Sequence, residues 1–237
     1  MNKIFKGLTI AILTLTLTSC FEIKEALNIN KDGSGTYSMV MDFSASKNLF
    51  QMLVDMTENS NEANISGIDG NPLSGLDSAF SDLSDQLNTI KGISNAKGIR
   101  DEKDFKFGIS LSFSDVEALN KALSQMDASG EVVTYRKYYT FSKGRIDKAN
   151  LFNLRNLTDE IMPKDEVGSM EKEFQETLSM LYEEVNYQIS IETDGKIRKF
   201  TNQEAVLSGD KSELVFSKKL KDIARGNIDL SNSIRFK

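Results

Sequence analysis

The chain has no histidine, a single cysteine and only two prolines among its 237 residues. Lacking imidazole, it has no histidine base, proton shuttle or metal ligand, and one thiol forms neither an internal disulfide nor a zinc site of several cysteines. A Gly-x-Ser-x-Gly nucleophile elbow is missing as well. The glycine-rich stretch Asp32-Gly33-Ser34-Gly35 leads into alternating residues and not into a helix, so it offers no helix N-terminus to a phosphate. No segment after the first twenty residues approaches the ~18 apolar residues that mark a membrane-crossing helix. With these patterns missing neither metal nor cofactor is expected as a ligand, and with a formal net charge of -6 nucleic acid is not expected either. What remains, 39% hydrophobic and 27% charged, is the composition of an ordinary folded protein.

The most specific signal lies at the start. Lys3 and Lys6 precede an apolar run from Gly7 to Leu17, too short to span a bilayer and of the length of an export-signal core. Leu17-Thr18-Ser19-Cys20 then follows, and it resembles the lipobox of bacterial lipoproteins: Leu17, Thr18 and Ser19 match the signal-peptidase recognition positions, and Cys20 is the residue that is lipidated and becomes the mature N-terminus. Small residues let the chain lie extended in a peptidase cleft, and the thiol offers the nucleophile for a diacylglyceryl group. Residues 1–19 are thus expected to be a signal peptide and residues 20–237 a single envelope domain held by its acyl chains, since more than one chain gives stable anchoring. Phe21 stands where Asp is associated with inner-membrane retention, so the resemblance implies an outer-membrane location if the organism is diderm.

Past Cys20 the pattern alternates between two periods. Tyr37, Met39, Met41 and Phe43 share one strand face, as do Phe105, Phe107, Ile109, Leu111 and Phe113, then Val185, Tyr187, Ile189 and Ile191. Val133, Tyr135, Tyr139 and Phe141 make a fourth set, which turns Arg136 and Tyr138 to the other face. Asp32-Gly33-Ser34-Gly35, Ser142-Lys143-Gly144 and Asp194-Gly195 predict hairpin turns. Helical spacing predicts amphipathic helices through Leu76 to Ile90, Val116 to Met126 and Val167 to Leu181, with others around Leu49 to Met56 and Leu151 to Ile161. Ser114 and Glu117 form a capping box. Residues 58–74 show no period and read as a mobile loop. The expected architecture is α+β, a largely antiparallel sheet of hairpins with amphipathic helices packed on one face.

A strand directly after the cysteine, the Asp-Gly-Ser-Gly turn at Asp32 to Gly35, and the late stretch Tyr187, Ile189 and Asp194-Gly195-Lys196-Ile197 together resemble the LppM-like envelope lipoproteins. The resemblance implies an α+β envelope domain of non-enzymatic or unassigned role, with contact to lipid among the roles it allows, and it transfers no catalytic residue.

Other constellations weigh less. Asn28, Asn30, Asp32 and Gly33 mimic half of a calcium loop, but the twelfth position is Met39, so a hairpin turn is the expected structure. Carboxylate pairs such as Glu171 with Glu173 and Glu183 with Glu184 lie on or beside a helix face opposite its apolar stripe. Charge is partitioned: removing Lys3 and Lys6 leaves -8, with +6 in the strand regions and -14 in the helical and loop regions. Arg136, Lys196 and Arg198 are therefore candidate contacts with an anionic surface. No catalytic residue is assigned. The sequence reads as a lipid-anchored cell-envelope protein acting by binding or scaffolding, through an envelope lipid, glycan or protein partner. A lipid or anionic-glycan binding module is one alternative, and a hydrolase using carboxylates or Ser/Lys is the other.

Overall fold

The computed structural model describes residues 21–47, 72–128, 133–152 and 183–237. It is α+β, with two sheets face to face. The larger has seven strands in the order β3-β4-β2-β1-β7-β10-β9 and the smaller has four in the order β5-β6-β11-β8. In the chain these are β1 (Glu22–Ile29), β2 (Gly35–Asp42), β3 (Ile93–Asp101), β4 (Lys106–Phe113), β5 (Tyr139–Ser142), β6 (Arg145–Lys148), β7 (Asn186–Thr193), β8 (Ile197–Lys199), β9 (Val206–Leu207), β10 (Glu213–Lys219) and β11 (Asn232–Phe236). The α-helices among the described residues include α1 (Pro72–Asn88), α2 (Val116–Met126) and α3 (Leu220–Ala224). Among the described residues every pairing is antiparallel except β1 with β7, which run parallel in register from Glu22 opposite Asn186 to Ile29 opposite Thr193.

Period-two patterning sets which face is inside. On β1 the inward row is Ile23, Glu25, Leu27 and Ile29; β2 contributes Tyr37, Met39 and Met41, β4 Phe107, Ile109, Leu111 and Phe113, and β7 Tyr187, Ile189 and Ile191, all buried. This face of the large sheet is covered by two kinds of element. α1 lies along β3 and α2 touches α1, β3, β4 and β5, while the small sheet brings Tyr139, Ile146, Lys148, Ile234 and Phe236 into the same core. At the β1–β2 turn Gly33 has φ +88, and a Cβ there would meet the Phe141 ring at 2.8 Å. Glycine is thus required both for the turn and for the approach of the two sheets. Along β3, the register slips between Ser94 and Lys97, and the side chain of Asn88 at the end of α1 bonds both the N–H and the C=O of Ala96 in the slipped stretch.

Several expectations change. Pro72 to Ser74, expected in a loop, form the first turn of α1. Residues 133–138 are not a strand: Val133 and Tyr135 are exposed, and Tyr138, expected to face outward, is buried. The helix after β4 is capped by Asp115, whose Oδ1 accepts the Ala118 N–H at 2.8 Å, with the Ser114 hydroxyl donating to its other oxygen. A carboxylate is the stronger acceptor there, so the cap sits one residue later than the Ser114–Glu117 pattern indicates. Asp194-Gly195 does not close a hairpin, because β7 pairs within the large sheet and β8 pairs with β11 in the small one. The chain changes sheets there. The signal, the lipobox, the stripes from Leu49 to Met56 and from Val167 to Leu181, and residues 58–71 lie outside the described residues, as do residues 153–161 of the helix expected from Leu151.

Candidate functional site

A charged residue stands in the inward row of the most central apolar strand. Glu25, flanked on β1 by Ile23 and Leu27 and across the ladders by Met39 and Ile189, is only 2% exposed. Such a group needs partners, because an uncompensated buried carboxyl costs several kcal/mol, roughly, in the protein interior. It has them on two sides. Its Oε1 accepts the Tyr139 hydroxyl at 2.7 Å and its Oε2 accepts the Tyr187 hydroxyl. Tyr187 comes from the neighbouring strand β7, one inward position away, whereas Tyr139 comes from the other sheet. Tyr37 lies close enough to bear on both phenols.

Lys148 completes the cluster from β6, directly opposite Tyr139 in the small sheet and 5% exposed. Its Nζ lies 5.2 Å from the Tyr139 ring centroid and donates to the Leu151 carbonyl at 3.1 Å. Phe152 closes the side of Tyr187, with the rings edge to face at 5.2 Å. Burial, reinforced by the Glu25 carboxyl, pushes the Tyr139 and Tyr187 phenols well above their ordinary range. Burial lowers Lys148, and Glu25 opposes that effect without cancelling it. Beside Lys148, the side chains of Ile189, Leu214, Phe216, Asn202 and Asn232 border about 10 Å³ of free space, roughly the room one water needs.

A second polar seam joins α2 to the extended segment before β5. Asn120 bonds both backbone groups of Tyr139, donating to its C=O at 2.8 Å and accepting its N–H at 2.9 Å. Ser124 accepts the Arg136 N–H, Glu117 accepts the Tyr135 hydroxyl, and one oxygen of Asp127 accepts from both the Arg136 guanidinium and the Tyr138 hydroxyl. Burial and the bond to Asp127 raise Tyr138 above the ordinary phenol range. The buried face of α2 thus carries Asn120 and Ser124 beside its apolar stripe, and these do for an extended segment what a neighbouring strand does for a ladder.

The candidate surface cations fall on different elements. Arg136 is bound to Asp127 at 3.0 Å, in the α2 seam. Lys196 donates to the Asp210 carbonyl at 2.6 Å, and Arg198 is exposed on β8. Nor does the charge partition along the sequence become a clean separation in space, since many strand lysines pair locally: Lys24 with Glu22 and Asp42, Lys218 with Glu204, Lys219 with Glu184. Asn28 to Gly33 form the expected hairpin turn, with Asp32 accepting from the Ser34 N–H and hydroxyl. Among the described residues there is no group of three or more Cys, Asp or Glu placed to hold a metal. Cys20 and the lipobox lie outside those residues. The Glu25 cluster was missed by sequence reading, though its signal was present: a glutamate at an inward position between Ile23 and Leu27, and a lysine two residues after Ile146.

No family profile matches the chain, and no curated protein sequence matches it either. Among solved structures it is similar to the folded domain of the LppM protein of Mycobacterium tuberculosis, determined by NMR. The likeness covers 92% of this chain and 90% of that one, at 9% sequence identity and a TM-score of 0.37.

Proposed function

We propose that the protein is a lipid-anchored component of the bacterial cell envelope that works by binding or scaffolding and not by catalysis. The observation that carries this reading is how the most chemically capable groups of the described core are used. Both oxygens of Glu25 are taken up by tyrosyl hydroxyls, one from each sheet, and the adjoining space has the size of a water. An acid arranged in this way is a clamp between layers. A general acid or nucleophile instead needs a reacting atom within about 3 Å and room for a substrate.

Anchoring through Cys20 supplies the location, and the fold begins immediately after it. The test has two parts. Cells given labelled fatty acid should label the wild-type protein and leave the Cys20→Ser variant unlabelled and unprocessed; a labelled variant removes the anchor. Saturable binding of the protein to one envelope fraction (phospholipid, anionic glycan or protein) supports the binding role. A pH-dependent turnover that is lost in Glu25→Gln supports the hydrolase reading instead.

A further inference from the structure

The folded core starts one residue after the lipidation position. Phe21 is buried, its ring stacked on Phe43 at 4.6 Å, and its carbonyl accepts the Asn186 N–H at 3.3 Å. Residues 20 and 21 are neighbours in the chain, with Cα atoms about 3.8 Å apart. The acyl chains therefore emerge from one defined end of the large sheet.

The registers say what lies at that end. Glu22 is opposite Asp42 and Asn186, Asp42 is opposite Lys106, and Asn186 is opposite Lys219. The β3–β4 turn, residues 102–105, is there, with the Phe105 carbonyl accepting the Phe43 N–H and Lys47 donating to the Lys103 carbonyl. So is the stretch from Lys218 through α3 to Arg225, whose four cations stand against Glu204, Asp222, Glu183 and Glu184. The opposite end holds the β1–β2 turn at Lys31 and Asp32 and the β7–β8 crossing at Lys196, with Glu192, Asp194, Asp210 and Glu213 and the cations Lys211 and Lys237 around it. Eight residues of β7 separate the two ends, about 25 Å at the usual rise per residue.

Resting on the anchor reading, we propose that this end of the sheet, built from the β3–β4 turn, residues 42–47 and the 218–225 segment, faces a phospholipid bilayer, and that the Lys31 and Lys196 end projects away from it. The aromatic stack at Phe21 leaves no slack for a flexible tether, so the point of attachment, and not a difference of charge between the two ends, sets which end meets the headgroups. Lys196, and with it Arg198, is thereby removed from the membrane by more than a Debye length of about 8–10 Å.

Acylation converts the Cys20 sulfur to a thioether, so a cysteine introduced elsewhere is the one free thiol of the mature protein. Acylated protein carrying Lys103→Cys, Arg225→Cys, Lys31→Cys or Lys196→Cys, labelled with a fluorophore, is reconstituted in anionic phospholipid vesicles containing a headgroup-linked quencher. Most of the fluorescence should be lost at positions 103 and 225 and retained at 31 and 196. Equal loss at both ends, or greater loss at 31 and 196, on protein whose mass shows the acyl chains, overturns the orientation alone. A mass without acyl chains overturns the anchor and the orientation together.

Discussion

The most consequential residue of the core is the one that breaks its pattern. A hydrogen bond to a charged group contributes about 1.5–3 kcal/mol net, and removing one partner from a buried ionic cluster costs about 3–5 kcal/mol. Tyr187→Phe should therefore lower unfolding free energy by about 1.5–3 kcal/mol and Glu25→Ala by about 3–5 kcal/mol, with Glu25→Gln in between because it keeps the shape and one acceptor. Urea unfolding of the three variants reads this directly, and a Glu25→Ala variant as stable as the wild type would show that the clamp carries nothing. The same cluster sets an alkaline limit. The folded chain holds protons on Tyr139 and Tyr187 that the unfolded chain releases above its phenol pKa of about 10. Each phenol then takes away about 1.4 kcal/mol of stability per pH unit above that point. Lys148 acts in the opposite sense: its folded pKa is lowered, so stability is regained as pH climbs from that value to about 10.5. Two phenols outweigh one amine above pH 10.5, and midpoint denaturant concentration should fall there more steeply in the wild type than in Tyr139→Phe/Tyr187→Phe.

At the scale of elements, what is local was readable and what is distant was not. Turn chemistry placed the β1–β2 and β5–β6 hairpins, and alternation placed the inward rows of β2, β4 and β7, because neighbours in sequence decide both. The segment 133–138 was misread as a strand because Val133, Tyr135 and Tyr139 keep the period, yet the backbone partners of Arg136, and of Tyr139 at its end, are side chains of α2, twelve and nineteen residues away. Likewise Glu25 finds Tyr139 at a separation of 114 residues and Tyr187 at 162, so no local window reveals why a glutamate belongs there. The α2 seam makes a prediction of its own. Asn120→Ala leaves a buried N–H and C=O of Tyr139 without their side-chain partner, each worth about 1–3 kcal/mol, while Asn120→Asp keeps the acceptor and sets a carboxylate against a carbonyl. Both should be destabilised by about 2–4 kcal/mol, and trypsin should cut faster at Arg136 and Lys137. Unchanged cleavage there in either variant would mean that the segment is held by something other than Asn120.

For the whole molecule, the sheets are joined at too many points to unfold separately. The Gly33 turn of the large sheet packs against Phe141 of the small one, Tyr139 spans to Glu25, the chain crosses between sheets at Asp194-Gly195, and it crosses again from β10 through α3 to β11. β1 is the member on which this depends most, since it pairs along all eight residues with β2 on one side and β7 on the other, and it carries Glu25. A chain beginning at Phe21 keeps the Phe43 stack and both ladders. It should unfold in a single cooperative transition, with far-ultraviolet circular dichroism and tyrosine fluorescence coincident; the absence of tryptophan leaves the tyrosines as the emitting probe. A chain beginning at Asn30 lacks the strand between β2 and β7, exposes two ladder edges in the middle of the sheet, and leaves the Tyr139 and Tyr187 hydroxyls and Lys148 buried without an acid. It should show no cooperative transition. If it instead unfolded as sharply as the longer chain, β1 would be an addition to a fold complete without it, and the packing of Phe21 on Phe43 would not be needed for the core.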